Sequence, residues 1–107
     1  MPVINIEFDS DKVSAEEMQK LCDGAHEVVS EVTQIEDVPV YAHSAEFKAE
    51  IAPIEIFIRL SAHKVKDVDA LTADLKQAFS TWKSENNFNH PINMTFIPMN
   101  WKIEIGI

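Results

Sequence analysis

The residues whose types do chemistry are few: one arginine, Arg59, four histidines at positions 26, 43, 63 and 90, and one cysteine, Cys22. The planar fork of an arginine grips a carboxylate, so Arg59 is a candidate for holding an organic acid. The alternative is an ion pair with Glu55 or another surface acid. The histidines have no metal-ligand spacing, and His26-Glu27-Val28-Val29-Ser30 lacks the second histidine of a zinc-protease helix. No metal and no other cofactor is expected. With only Gly24 and Gly106 there is no glycine-rich phosphate loop, and no serine or cysteine lies in a nucleophile motif. The lone Cys22 cannot close an internal disulfide, and its place in a helical stripe reads as a small core residue; a reducing cytoplasm fits.

The elements that must position these residues are legible from periodicity. In Pro2-Val3-Ile4-Asn5-Ile6-Glu7-Phe8, Ile4, Ile6 and Phe8 alternate with Val3, Asn5 and Glu7, which is a half-buried strand. Pro2 is an acceptable first strand residue because its missing N–H need not be paired there. Ser14-Ala15-Glu16-Glu17 has capping-box spacing. Met18, Leu21, Cys22, Ala25, Val28, Val29 and Val32 then form one apolar stripe, predicting a helix from Ser14 to Thr33. Gly24 inside it costs roughly 1 kcal/mol relative to alanine. A second strand is expected from Pro39 to about Phe47.

The pattern then starts again. Pro53 to Leu60 alternates Ile54, Ile56, Ile58 and Leu60 against Glu55, Phe57 and Arg59. Asp67 and Asp69 stand where a helix amino terminus favours acids, and Val68, Leu71, Leu75, Ala78, Phe79 and Trp82 make the second stripe. Asn86 to Pro91 breaks that helix, and Ile92 to Ile97 supplies a fourth strand. Pro2 matches Pro53, the two stripes match position by position, and Pro39 matches Pro91, at an offset of 50 to 52 residues. Each half, 2–47 and 53–97, is thus a βαβ unit. The expected fold is α/β (α+β): two tandem βαβ units in a single domain over 1–107, with a four-stranded sheet and two helices on one face. A C-terminal strand over 98–107 completes it, since Trp101, Ile103, Ile105 and Ile107 alternate. Bare, so apolar a strand is an aggregation hazard, so it is expected to pair with a neighbouring subunit.

Composition bounds the partners. The chain has 107 residues, 46% of them apolar, with 18 acids against 9 bases and a formal net charge of -9. Nucleic acid and anionic membrane surfaces are disfavoured because both need a positive patch. The sequence carries no pattern of a signal peptide or membrane span. The same charge disfavours an anionic small molecule unless its site is locally basic.

A Met-Pro start leading directly into a strand, the two tandem βαβ halves, and the segment Thr95-Phe96-Ile97-Pro98-Met99-Asn100 together resemble the tautomerase superfamily. That resemblance covers essentially the whole chain. It implies removal of Met1, a Pro2 amine acting as catalytic base or acid on a small keto or enol acid, a homotrimer, and no cofactor. An α-amino group has a reference pKa of roughly 7.7 to 8.0 that burial lowers, which suits proton abstraction near neutrality. The resemblance also implies where the enolate oxygen and carboxylate would be met. Lys12 and His63 fall where short members carry an arginine after a strand, and His43 near a second family arginine. The active-site Tyr and Asn of the inhibitory-factor branch fall on Asn93 and Thr95, and that branch's lysine has no counterpart in Thr33-Gln34-Ile35-Glu36-Asp37. Trp101 reads either as a site wall from a neighbouring chain or as an interface anchor. Two alternatives stand beside the isomerase: a catalytically silent oligomer of the same fold, and a ferredoxin-like ligand-binding domain, whose β-α-β-β-α-β order is the same.

Overall fold

The computed structural model describes residues 2–107. The elements are β1 (Val3–Phe8), α1 (Ala15–Thr33), β2 (Val40–Ser44), β3 (Ile54–Ser61), a 3₁₀ turn (Ala62–Lys64), α2 (Val68–Glu85) and β4 (Asn93–Met99). The sheet order is β2-β1-β3-β4. β1 and β2 are adjacent and parallel, as are β3 and β4, while β1 and β3 join the halves antiparallel. Adjacent parallel strands within each half exclude the ferredoxin-like alternative, in which each βαβ unit is split by an intervening strand.

The alternation read from the sequence sets the two faces. Ile4, Ile6, Ile54, Ile56, Ile58 and Leu60 are all at most 2% exposed, and the five isoleucines pack with Met18, Leu21, Ala25, Val28 and Val29 of α1 and Leu75 and Phe79 of α2. Each fully buried aliphatic side chain stabilises by roughly 1.5–3 kcal/mol, so a one-residue register slip, which would turn every isoleucine to the other face, is strongly disfavoured. The other face carries no helix. The strand registers bring Val3, Tyr41, Phe57, Ile97 and Met99 onto it together with Asn5 and Arg59.

α1 begins with the expected capping box: the Glu17 amide donates to Ser14 Oγ at 3.1 Å and the Ser14 amide to Glu17 Oε1 at 3.0 Å. Glu17 Oε2 also meets His90 Nε2 at 2.7 Å. α2 starts at Asp67, which accepts from the Ala70 amide at 3.0 Å. The helices meet at Gly24, where an added Cβ would lie 2.1 Å from Cε2 of the Trp82 indole. A glycine that local propensity penalises is the residue that lets Trp82 pack.

Two strand boundaries differ from the sequence reading. β2 stops at Ser44 rather than Phe47, because its partner β1 ends at Phe8; the Ala45 amide donating to the Phe8 carbonyl at 3.0 Å closes the ladder. Residues 100–107 form no ladder within the chain. The outer edges of β2 and β4 stay unpaired within the chain, and Ile105 and Ile107 of the alternating tail are exposed.

At the β1–α1 turn, Asp9 is buried. Its carboxylate accepts from the Lys48 ammonium and, at 3.0 Å, from the Asp11 amide; Lys48 also donates to Asp11 at 2.7 Å. The Lys48 bond, then the Asp11 amide, hold Asp9 below its ordinary value. The Ser14 amide, then His90, do the same for Glu17. Carboxylates with lowered native pKa values stabilise the fold above the ordinary carboxylate range and lose that contribution as pH falls through the native values. Thermal midpoints are therefore expected to drop steeply below about pH 4. Asp9→Asn should lower the midpoint by several degrees at neutral pH and flatten its dependence on acid. Parallel pH curves for variant and native protein would contradict this role of Asp9.

Candidate functional site

One end of the sheet gathers the start of β1 and the ends of β3 and β4. Because each helix runs antiparallel to the strands of its own half, the C-terminus of α1 and the N-terminus of α2 lie there as well. Pro2 is at this end and its side chain is fully buried. Continuing the observed registers by one or two residues sets Pro2 between Leu60 and Val38, each at most 3% exposed. The lead-in to β2 is held by two bonds: the Ile4 amide donates to the Pro39 carbonyl at 3.0 Å, and His26 Nδ1 donates to the Val38 carbonyl at 2.8 Å. A carbonyl acceptor fixes Nδ1 as the protonated nitrogen.

Beside Leu60 opens a cavity of about 340 Å³, lined by Val32, Thr33, Ile35, Leu60, Lys64 and Leu71, with Gln34 at its rim. Its walls mix the apolar Val32, Ile35, Leu60 and Leu71 with the polar Thr33, Gln34 and Lys64. The C-terminal carbonyls of α1, a source of negative potential, are partly occupied: the Thr33 hydroxyl donates to the Val29 carbonyl and Gln34 Nε2 to the Glu31 carbonyl, both at 2.6 Å. Lys64 is the one charged lining residue. On the other side of the 3₁₀ turn a second cavity, of about 270 Å³, is lined by His63, Met99, Asn100, Trp101 and Lys102. Both carry cations without a carboxylate, whereas the cavity between the helices carries Glu27, Glu31 and Glu85. Despite the net charge of -9, neither of these two cavities is lined by an acid.

The candidate residues separate by position. Pro2, His63 and Trp101 come to this end. Arg59 also lies near it but on the helix-free face, where Nη1 donates to Asn5 Oδ1 at 2.7 Å. Its partner is thus an amide rather than the acid expected; Glu55 instead accepts from Asn93 Nδ2 at 3.2 Å. Lys12, in the turn after β1, and His43, beside Glu7 at the far end of β2, lie roughly 20 Å from Pro2 at about 3.3 Å per strand residue. Within one chain they do not join it. Asn93 and Thr95 also fall on the helix-free face of β4. Met1 and its removal lie outside the described residues. Burial pushes the Cys22 thiol up, so it is a poor nucleophile at neutral pH.

Lys64, Asn5 and Ser61 were not legible as site residues. Ser61 is buried, and its Oγ accepts from Trp101 Nε1 at 2.5 Å, which anchors the tail. The alternation of β3 was visible, but the 3₁₀ turn that follows it, which decides which cavity each of His63 and Lys64 lines, left no periodic signal. Among the described residues, no group of three or more His, Cys, Asp or Glu side chains is arranged to hold a metal ion, and no helix is long and apolar enough to cross a membrane.

The sequence matches no family model and no curated protein. Solved structures do match. A macrophage migration inhibitory factor-like protein from Entamoeba histolytica superposes with a TM-score of 0.66 at 15% identity, over 96% of this chain and 95% of the other. For a 5-carboxymethyl-2-hydroxymuconate delta-isomerase the values are 0.68, 15%, 99% and 89%. For a malonate semialdehyde decarboxylase, solved as wild type, as a mutant with alanine for its first-position proline, and in an inactivated form, they are 0.72, 10%, 98% and 92%. Superposition over nearly the whole of each chain gives this chain the tautomerase-like fold that these structures share.

Proposed function

We propose that this protein is a tautomerase or isomerase in which the amine of Pro2, freed by removal of Met1, carries out a 1,3-proton transfer on a small keto or enol acid. The observation that carries this reading is the burial of Pro2 opposite Leu60, which lines a cavity whose charged lining is Lys64 alone. Burial favours the neutral amine, the form that accepts a proton, and an enolate formed beside it needs a cation or hydrogen-bond donor. The isomerase and the decarboxylase of the same fold, the latter studied through its first proline, support the choice of residue. In this reading Lys64 supplies the positive charge first sought at Arg59, Lys12 and His43, and His63 stands beside it on the same turn.

The reaction needs little else. The neutral amine takes a proton from the carbon next to the carbonyl, the negative charge passes to the carbonyl oxygen, and the resulting ammonium returns a proton to the other end of the enol system. Lys64 holds the substrate's carboxylate, fixing the reacting carbon against the amine. Lys64→Gln is expected to raise KM for a 2-oxo acid about tenfold or more, the loss of one charge-assisted bond, with a smaller change in kcat. An unchanged KM would remove Lys64 from the site.

The same reading takes the protein to be a homotrimer. The helix-free face with Val3, Tyr41, Phe57, Ile97 and Met99, and the exposed Ile103, Ile105 and Ile107, offer more apolar surface than a solitary chain ordinarily leaves uncovered. Light scattering is expected to return three times the chain mass, and a clean monomer would contradict the assembly.

A further inference from the structure

We propose that His26 is a positioning residue of the site at Pro2: its ring ties the lead-in of β2 to α1 and, through Val38, keeps Pro2 enclosed. The inference rests on the reading of Pro2 as the proton-transferring group. Residues 34–39 turn the chain from the end of α1 into β2, starting from a left-handed Gln34 with φ 58°. Hydrogen bonds on two successive carbonyls hold the end of this segment from two directions. Pro39 accepts from the Ile4 amide of β1 at 3.0 Å, and Val38 accepts from His26 Nδ1 of α1 at 2.8 Å. Pro39 has no N–H with which to add another.

Register carries the effect of that bond to Pro2. Extending the β1–β2 ladder sets Pro2 against Val38; Pro2 is fully buried and Val38 is 3% exposed. The lead-in itself carries Glu36 and Asp37, both exposed, and α1 carries Glu27 and Glu31. The turn after β3 carries His63 and Lys64, while Arg59 of β3 is bonded to Asn5. A lead-in released from α1 admits water and frees the Glu36 and Asp37 carboxylates to approach the amine, and both changes favour the charged ammonium over the neutral base. The bond itself is indifferent to the charge on His26, because the neutral ring protonated at Nδ1 and the imidazolium both donate from that nitrogen. A change in pH dependence on losing the bond therefore belongs to Pro2.

The test compares His26→Leu, which lacks the donor, with His26→Asn, whose amide nitrogen stands as many bonds from Cβ as Nδ1 does. Position 26 is exposed, so neither change empties the core; His26→Ala is the second donor-free variant should leucine fail to fold. Each protein is prepared with Pro2 as its first residue, verified by intact mass. Two readouts are taken: the pH profile of kcat/KM for a simple 2-oxo acid, and the titration of the Pro2 amine followed by NMR on isotope-labelled proline. In His26→Leu the amine is expected to titrate at higher pH. Its kcat/KM should fall about tenfold below the midpoint, where the neutral fraction is lost, and return to within about twofold of native well above it. A general loss of structure would lower the profile at every pH. His26→Asn should restore both readouts. An unchanged amine titration in His26→Leu, a loss uniform across pH, or failure of His26→Asn to restore would overturn the role of His26. If the native protein turns over no keto or enol acid, the proton-transfer reading fails by itself, and the amine titration still decides whether His26 encloses Pro2.

Discussion

Pro2→Ala is expected to lower kcat/KM for enol-to-keto conversion of a simple 2-oxo acid by about 10²–10⁴-fold, the usual contribution of a positioned acid–base group. Alanine keeps an α-amine, so the loss is one of position and environment. The proline ring ties the nitrogen to a fixed dihedral and fills the space between Val38 and Leu60. Without it, the amine rotates and is better hydrated, and hydration stabilises the charged form that cannot accept a proton. Decay of the enol absorbance measures the effect, and a melting curve confirms that the variant is folded. Turnover equal to that of the native protein would assign the reaction to background. Intact mass is the companion measurement: if Met1 is retained, the Pro2 nitrogen is an amide with no basic lone pair, and the proposed mechanism fails before any kinetics are run.

Gly24→Ala is expected to destabilise the protein by about 1–2 kcal/mol even though alanine is the better helix former by about 1 kcal/mol. An added Cβ would stand 2.1 to 2.4 Å from three atoms of the Trp82 indole, against an ordinary carbon contact of about 3.5–4.0 Å. The indole is held on one side by Phe88, with ring centroids 5.3 Å apart, and to retreat it would have to turn toward the cavity between the helices that it also lines. For a domain of this size the midpoint should fall by roughly 10 °C. A rise in the midpoint would mean that Trp82 repacks freely. Combining Gly24→Ala with Trp82→Leu should recover part of the loss, since residues in contact are not additive.

What could be read without a structure follows from where each kind of signal resides. Alternation and stripes are local, so β1, α1, β3 and α2 were visible with boundaries within a residue or two, as was the capping box at Ser14 and Glu17. The near-constant offset between the halves made the double βαβ order visible as well. β2 was overextended because a strand's length is set by its partner, and nothing in Ala45-Glu46-Phe47 records that β1 has already ended.

The candidate site divides in the same way. Pro2, His63 and Trp101 were found from type and position along the chain, and they do share one end of the molecule. Arg59 was placed on the correct face of its strand, yet its partner Asn5 is 54 residues away and appears only when β1 and β3 pair antiparallel. Lys12 and His43 looked equivalent to His63 because a repeat makes the two halves alike in sequence, but the antiparallel join sends the end of β1 and the end of β3 to opposite ends of the sheet.

The sequence by itself determined the two helices, the four core strands, the repeat and the proline at the head of β1, because each rests on periodicity or on a single residue's chemistry, whereas the pairing that excludes the ferredoxin-like fold came from the structure. Tertiary structure alone decided that Gly24 makes room for Trp82, that Arg59 faces away from the cavity beside Pro2, and that Lys64 lines it. These depend on contacts between residues far apart in the chain, which local patterns do not encode.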